Sequence, residues 1–121
     1  MTDSLDDMSS AVPAGERGLR LSTEDTPDGP VLMVVGEVDV YTCPSLRDEL
    51  YRLIDSGSSR VIVDLTQLEF IDSSGLGVFV GALKRVRELA ADRDLELRHL
   101  PPSARKVFDI TGLTEVFKIE G

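Results

Sequence analysis

The stretch Phe70-Ile71-Asp72-Ser73-Ser74-Gly75-Leu76-Gly77-Val78 follows a predicted strand and contains the start of a predicted helix. Asp and Ser are favoured at helix starts because their side-chain oxygens accept hydrogen bonds from the unpaired N–H groups of the first turn. The same unpaired N–H groups could donate hydrogen bonds to the oxygens of a phosphate carried by one of the serines. The stretch therefore predicts a strand–turn–helix unit whose helix begins near Ser73 and is capped by Asp72, Ser73 or Ser74.

Helical periodicity appears in three segments of the chain. The helix that begins near Ser73 is predicted to run to about Ala91, with an inner stripe of Leu76, Phe79, Val80, Leu83, Val86 and Ala90. An earlier helix is predicted from an N-cap at Thr42 to Gly57, with a stripe of Leu46, Leu50, Leu53 and Ile54. A short third helix passes through Val107, Phe108 and Ile110 and stops at Gly112.

Strand signals alternate with these helices. They lie at Leu19–Ser22, Val31–Val35, Val61–Leu65, Leu95–Arg98 and Val116–Ile119. The first two flank a turn sequence and are expected to form a hairpin. The order predicts a single α/β domain over residues 19–121, with a mixed, mainly parallel β-sheet of about five strands and helices packed mostly on one face. Residues 1–18 lack periodicity and are predicted to be a disordered acidic leader.

Composition narrows the function classes. A chain of 121 residues with a formal net charge of −9 predicts no direct binding to nucleic acid or to an anionic membrane. Cys43 is the only cysteine, so an intrachain disulfide is impossible; a small buried hydrophobe is its expected role, with redox control as the alternative. We expect no metal and no cofactor. The polar N-terminus and short apolar runs predict a cytoplasmic protein. We expect a monomer or a weak dimer.

One face of the helix that follows Ser73 has an unusual composition. The residues predicted to lie opposite the inner stripe are Ser74, Gly77, Val78, Gly81 and Arg85. Two glycines inside a helix cost about 1 kcal/mol each relative to Ala. Close approach by a partner would explain them, and the alternative is that one glycine touches a neighbouring loop. The pattern favours a partner-binding surface.

Three segments of the sequence resemble the anti-sigma factor antagonists, which are bacterial STAS domains. They are Gly36-Glu37-Val38-Asp39-Val40-Tyr41-Thr42, Val63-Asp64-Leu65 followed by residues 70–77, and Ile110-Thr111-Gly112-Leu113. The resemblance implies that Ser73 is phosphorylated by an anti-sigma factor with serine-kinase activity, and that a serine phosphatase reverses the modification. It also implies that the unmodified form binds the anti-sigma factor and frees the sigma factor, and that Asp39 lies near Ser73. Asp39, Asp72, Ser74 and Gly75 are therefore the expected surroundings of the phosphosite.

Three other interpretations are weighed against this one. The first is a STAS module of a stress-signalling scaffold or of another partner-switching system that does not act on a sigma factor. The second is a serine hydrolase with Ser73 and His99, but Ile71 stands where a nucleophile elbow needs Gly. The third is a receiver domain with Asp64 as phosphoacceptor, but the sequence shows neither the acidic cluster nor the lysine that such a site needs. The sequence thus predicts a regulatory protein and not an enzyme.

Overall fold

A computed structural model describes residues 18–58, 60–89 and 93–120 of the chain. The elements in chain order are β1 (Leu19–Thr26), β2 (Gly29–Val38), α1 (Cys43–Asp55), β3 (Arg60–Asp64), β4 (Leu68–Ile71), α2 (Ser73–Leu89), β5 (Asp94–Arg98), α3 (Pro102–Ile110), a 3-10 turn (Leu113–Glu115) and β6 (Lys118–Glu120). The predicted leader, apart from Gly18, and the predicted helix end at Ala90 and Ala91 lie outside the described residues.

Six strands form one sheet in the order β1-β2-β3-β5-β6, with β4 paired to β2 beyond the end of β3. β1 and β2 form the expected antiparallel hairpin, and the other pairs are parallel. The predicted mixed, mainly parallel sheet is confirmed. The sequence analysis predicted about five strands and did not delimit β4, whose sequence Leu68-Glu69-Phe70-Ile71 does not alternate strictly between apolar and polar residues.

A bulge at Gly36 allows β2 to pair with two strands in succession. The first part of β2 pairs with β3, and the register shifts between Gly36 and Glu37 before β2 pairs with β4. Gly36 has a φ of 107°, and a Cβ there would lie 2.1 Å from the carbonyl oxygen of Gly18. Only glycine fits this position. The bulge therefore sets the register with which β2 and β4 end side by side.

The predicted helical stripes form the core on one face of the sheet. Leu46, Leu50, Leu53 and Ile54 of α1 are buried, as are Leu76, Phe79, Leu83 and Val86 of α2, while Val80 is half-buried. The aromatic rings continue this layer, since the ring centroids of Phe79 and Phe108 lie 6.4 Å apart and those of Phe108 and Phe117 lie 5.9 Å apart. All three helices thus pack on the same face, as the sequence predicted.

Gly75 allows α2 to begin close against the sheet. A Cβ on this residue would lie 2.7 Å from Cγ1 of Ile71 and 2.7 Å from Cγ1 of Val38, whereas a Cβ on Gly77 would meet no atom within 4 Å. Both neighbours are β-branched residues at strand ends, so they have little freedom to move away. Gly75 therefore fixes the distance between the first turn of α2 and the ends of β2 and β4.

We expect opposite effects on stability from Gly75→Ala and from its matched control Gly77→Ala. Gly75→Ala should lower the free energy of unfolding by about 1–3 kcal/mol because its methyl group overpacks the helix–sheet contact. Gly77→Ala should raise it by up to about 1 kcal/mol because alanine favours the helix and has open space. Urea unfolding of both variants checks this, and equal effects of the two substitutions would contradict the packing role of Gly75.

Candidate functional site

Two parallel strands end side by side and bring two aspartates to one edge of the sheet. Val38, the last residue of β2, pairs with Ile71, the last residue of β4. The N–H of Asp72 continues the pairing, since it donates to the carbonyl oxygen of Val38 at 3.1 Å. Asp39 and Asp72 each directly follow one of these strands. The strand register therefore brings Asp39 to the same edge of the sheet as the turn that leads into Ser73.

Asp72 is the residue that caps α2. Its Oδ1 accepts hydrogen bonds from the N–H groups of Ser74 at 2.9 Å and Gly75 at 3.1 Å. Its carbonyl oxygen accepts the N–H of Leu76 at 3.0 Å, which starts the helical hydrogen bonds. Among the described residues, the N–H of Ser73 is the one first-turn group without an acceptor. The expectation that several N–H groups are free to receive a phosphate is therefore wrong, because the Asp72 carboxylate already occupies two of them.

Ser73 is the first residue of α2, and its side chain is exposed. Its hydroxyl makes no hydrogen bond to any described residue, so neither the cap nor the core depends on it. The hydroxyl is accessible to the active site of another protein. Beside it, Ser74 is half-buried and Gly75 is buried. Of the two adjacent serines, the exposed one is therefore Ser73, the predicted phosphoacceptor.

Asp39 organises the loop between β2 and α1. Its Oδ1 accepts the N–H of Tyr41 at 2.9 Å and the N–H of Thr42 at 3.0 Å. The Thr42 hydroxyl accepts the N–H of Asp39 at 2.9 Å and donates to the carbonyl oxygen of Glu37, also at 2.9 Å. Thr42 precedes α1 as predicted, but its side chain makes no cap hydrogen bond and is buried in the loop instead. The loop is thus held by its own polar groups.

The predicted outer face of α2 is only partly exposed. Gly77 is exposed, but Val78 is 9% exposed and belongs to the core, so its assignment to the partner-binding face is wrong. Because α2 packs on the sheet and also against α1, more of its surface is buried than the predicted inner stripe. A Cβ on Gly81 would lie 3.2 Å from the hydroxyl of Tyr51 in α1. Gly81 therefore makes room for a side chain of its own chain.

Arg85 holds α1 against α2. Its guanidinium donates to both carboxylate oxygens of Asp55, at 2.8 and 2.9 Å, and its Cζ lies 5.2 Å from the ring centroid of Tyr51. The hydrogen bond from Arg85 lowers the pKa of Asp55 below its ordinary value. The structure thus gives Arg85 an intramolecular role, and the outward-facing part of the predicted surface near Ser73 consists of Ser74 and Gly77.

Sequence reasoning missed two exposed apolar residues in the loop between β2 and α1. Val40 is 58% exposed and Tyr41 is 80% exposed, and both lie between the loop-forming residues Asp39 and Thr42. The signal was present in the sequence, because two large apolar residues stand next to a turn-forming aspartate and just before a helix. It was read only as part of a family motif.

The rival sites receive no support from the geometry of the described residues. Asp64 accepts the N–H of Thr66 at 2.9 Å and its hydroxyl at 2.6 Å, so it closes a turn after β3. No group of three His, Cys, Asp or Glu residues in the described ranges is placed to hold a metal ion. Within those same ranges, no helix is both long enough and apolar enough to cross a membrane.

Comparisons with known proteins match both the sequence and the fold. The STAS domain family matches residues 20–121. The anti-sigma-B factor antagonist of Bacillus subtilis is 40% identical over 86 residues, which are 71% of this chain and 76% of that protein. The crystal structure of an anti-sigma factor antagonist from Mycobacterium paratuberculosis has the same fold, with a TM-score of 0.78 and 21% identity over 90% of this chain and 89% of the other.

A further match is the Bacillus cell fate determinant SpoIIAA, an anti-sigma factor antagonist solved in two states. The phosphorylated form has a TM-score of 0.63 and 26% identity over 84% of this chain and 89% of the other. The unphosphorylated form has a TM-score of 0.68 at the same identity, over 84% of this chain and 86% of the other. With a family match over most of its length and a relative 40% identical, this chain belongs to the STAS domain family as an anti-sigma factor antagonist.

Proposed function

We propose that the unmodified chain binds an anti-sigma factor and that phosphorylation of Ser73 releases it, which returns the anti-sigma factor to its sigma factor. The observation that supports this most directly is the exposed Ser73 hydroxyl next to the Asp72 carboxylate, at the start of α2. The match to SpoIIAA, a relative solved in a phosphorylated form, supports a phosphorylation switch in this fold.

The phosphorylation step uses the chain as a substrate. Ser73 Oγ attacks the γ-phosphorus of ATP held by the anti-sigma factor, a new P–O bond forms, and the bond to the departing ADP breaks. The serine proton passes to a base of the kinase, which also supplies the Mg²⁺. A serine phosphatase would reverse the step by hydrolysis, and it could reach the phosphate because the side chain is exposed. The chain itself acts as a regulatory ligand and not as an enzyme.

The switch is electrostatic. Phosphorylation adds about −1.5 to −2 charges at neutral pH. The N–H groups of Ser74 and Gly75 already donate to Asp72. Among the described residues, only the N–H of Ser73 is left of the first-turn groups, and one N–H does not neutralise the new charge. Inverting a 99:1 bound population requires about 5.5 kcal/mol of differential affinity. Like charges brought together in a desolvated interface cost several kcal/mol, so one phosphate has the size that the switch requires.

Labelling with ATP tests the identity of the phosphoacceptor. We expect that an anti-sigma kinase from the genome encoding this chain transfers phosphate to the wild-type protein and to Ser74→Ala, but not to Ser73→Ala. Ser74→Ala is the matched control because it removes the neighbouring hydroxyl in the same helical turn and leaves the hydroxyl of Ser73 in place. Mass spectrometry of the labelled peptide checks the site. A phosphate on Ser74, or retained labelling of Ser73→Ala, would contradict the assignment.

The charge at Ser73 should control affinity for the anti-sigma factor. Ser73→Ala should bind as tightly as the unmodified chain, even after incubation with ATP, because the Asp72 cap remains and the acceptor is gone. Ser73→Glu should raise the Kd at least tenfold, although less than phosphate does, because a carboxylate carries less charge. Calorimetric titration measures both. Equal affinities of Ser73→Glu and Ser73→Ala would refute the electrostatic switch.

Steric bulk at Gly77 tests whether the exposed side of α2 contacts the partner. Gly77→Leu should abolish measurable binding in a pull-down because the new side chain projects from an open surface position, while circular dichroism should show an intact fold. Gly77→Ala should bind close to normally because its methyl group is small. If the leucine variant bound as well as the alanine variant, Gly77 would lie outside the interface.

A further inference from the structure

The loop between β2 and α1 presents two large apolar side chains to solvent without using them in the core. Tyr41 is 80% exposed and Val40 is 58% exposed. Exposed apolar residues are common singly, but two adjacent ones beside a candidate interaction site form a patch suited to a partner. Core packing therefore does not explain why the side chains of Val40 and Tyr41 point to solvent; the conformation of the loop does.

Hydrogen bonds within this loop hold its backbone although its tip is exposed. The Asp39 carboxylate accepts the N–H of Tyr41, and the buried Thr42 hydroxyl bridges the N–H of Asp39 and the carbonyl oxygen of Glu37. The N–H of Cys43 donates to the carbonyl oxygen of Asp39 at 2.8 Å, which joins the loop to the start of α1. A side chain on a preorganised loop loses less conformational entropy on binding. The polar groups inside the loop thus prepare the apolar groups outside it for contact.

The patch lies at the same edge of the sheet as Ser73. Val38 and Ile71 pair at the strand ends, and Asp72 donates back to Val38, so the loop that starts at Asp39 emerges beside the turn that leads into Ser73. α1 and α2 both begin at this edge and pack against each other. A partner that covers the Ser73 hydroxyl is therefore in position to cover Tyr41 as well.

We infer that Val40 and Tyr41 form an apolar anchor that inserts into an apolar cleft of the anti-sigma factor. This inference rests on the proposed function and adds a second component to the interface. The anchor supplies affinity that does not depend on charge, while Ser73 supplies the charge-dependent switch. Tyrosine suits the role because it is enriched among the residues that dominate binding energy and has few rotatable bonds.

Binding of the unmodified chain to its anti-sigma factor tests the anchor. Each anti-sigma factor of the genome that encodes this chain is purified, and the one that binds the wild-type protein serves as the probe. We expect Tyr41→Ala to raise the Kd about thirtyfold, in the range of other interface hot spots, and Val40→Ser to raise it about tenfold. Tyr41→Phe should bind within a factor of three of wild type, because the anchor acts through its ring.

Ile110→Ala is the matched control. Ile110 is 76% exposed, close to the value for Tyr41. It is the last residue of α3 and therefore lies at the far end of this helix from the sheet edge where α3 begins. This variant should bind like wild type. A loss comparable to that of Tyr41→Ala would mean that any exposed apolar residue matters, and it would overturn the inference. Thermal unfolding should show all of these variants folded, since none of the three side chains is in the core.

A double variant separates the anchor from the switch. If Tyr41 and Ser73 contribute independently, the effects of Tyr41→Ala and Ser73→Glu on Kd should multiply. Normal binding by Tyr41→Ala together with weak binding by Ser73→Glu would overturn the anchor and leave the proposed function intact. Undiminished binding by Ser73→Glu, or no anti-sigma factor that binds the wild-type chain, would instead refute the proposed function.

Discussion

The pairing of two parallel strand ends is the constraint on which the site depends. The hydrogen bond from the N–H of Asp72 to the carbonyl oxygen of Val38 extends the β2–β4 ladder by one residue and aligns the two exits from the sheet. Asp39 and Asp72 occupy equivalent places after these strands, and each uses its carboxylate to hold backbone N–H groups. The bulge at Gly36 and the close packing at Gly75 both serve this alignment. A shift of register by one residue would separate the loop from the helix start.

Local periodicity predicted those parts of the fold that depend on local sequence. The stripes of α1 and α2 and the alternation of strands and helices along the chain followed from spacing, because each helix buries one face against the sheet. Nonlocal contacts set the features that were missed. Val78 is buried because α2 also packs against α1, and Gly81 faces Tyr51, which lies 30 residues earlier. Glu96 is 1% exposed, and its carboxylate pairs with Arg98 of the same strand and with Arg60 and Lys118 of the two neighbouring strands.

In the candidate site, too, some features follow from local sequence and others from contacts between distant segments. Ser73, Asp72 and Gly75 lie within one short segment, so their closeness follows from sequence alone. The meeting of Asp39 with this segment was expected only through the family resemblance, because strand register is a property of the assembled sheet. The intramolecular role of Arg85 depends on Asp55 in another helix. The exposure of Tyr41 depends on the loop hydrogen bonds, whereas the sequence signals only that an apolar pair stands beside a turn-forming aspartate.

The Asp72 cap determines where the effect of a phosphate on Ser73 is felt. A phosphate at a helix N-terminus ordinarily stabilises the helix, because free N–H groups and the macrodipole attract it. Here two of those N–H groups are already bonded to the Asp72 carboxylate, so among the described residues the N–H of Ser73 is the one first-turn donor left for the new charge. The fold should therefore respond weakly to phosphorylation, while any surface brought against Ser73 meets two adjacent anions. A cap that already occupies two of the N–H groups before modification thus directs the charge of the switch towards the partner and away from the core.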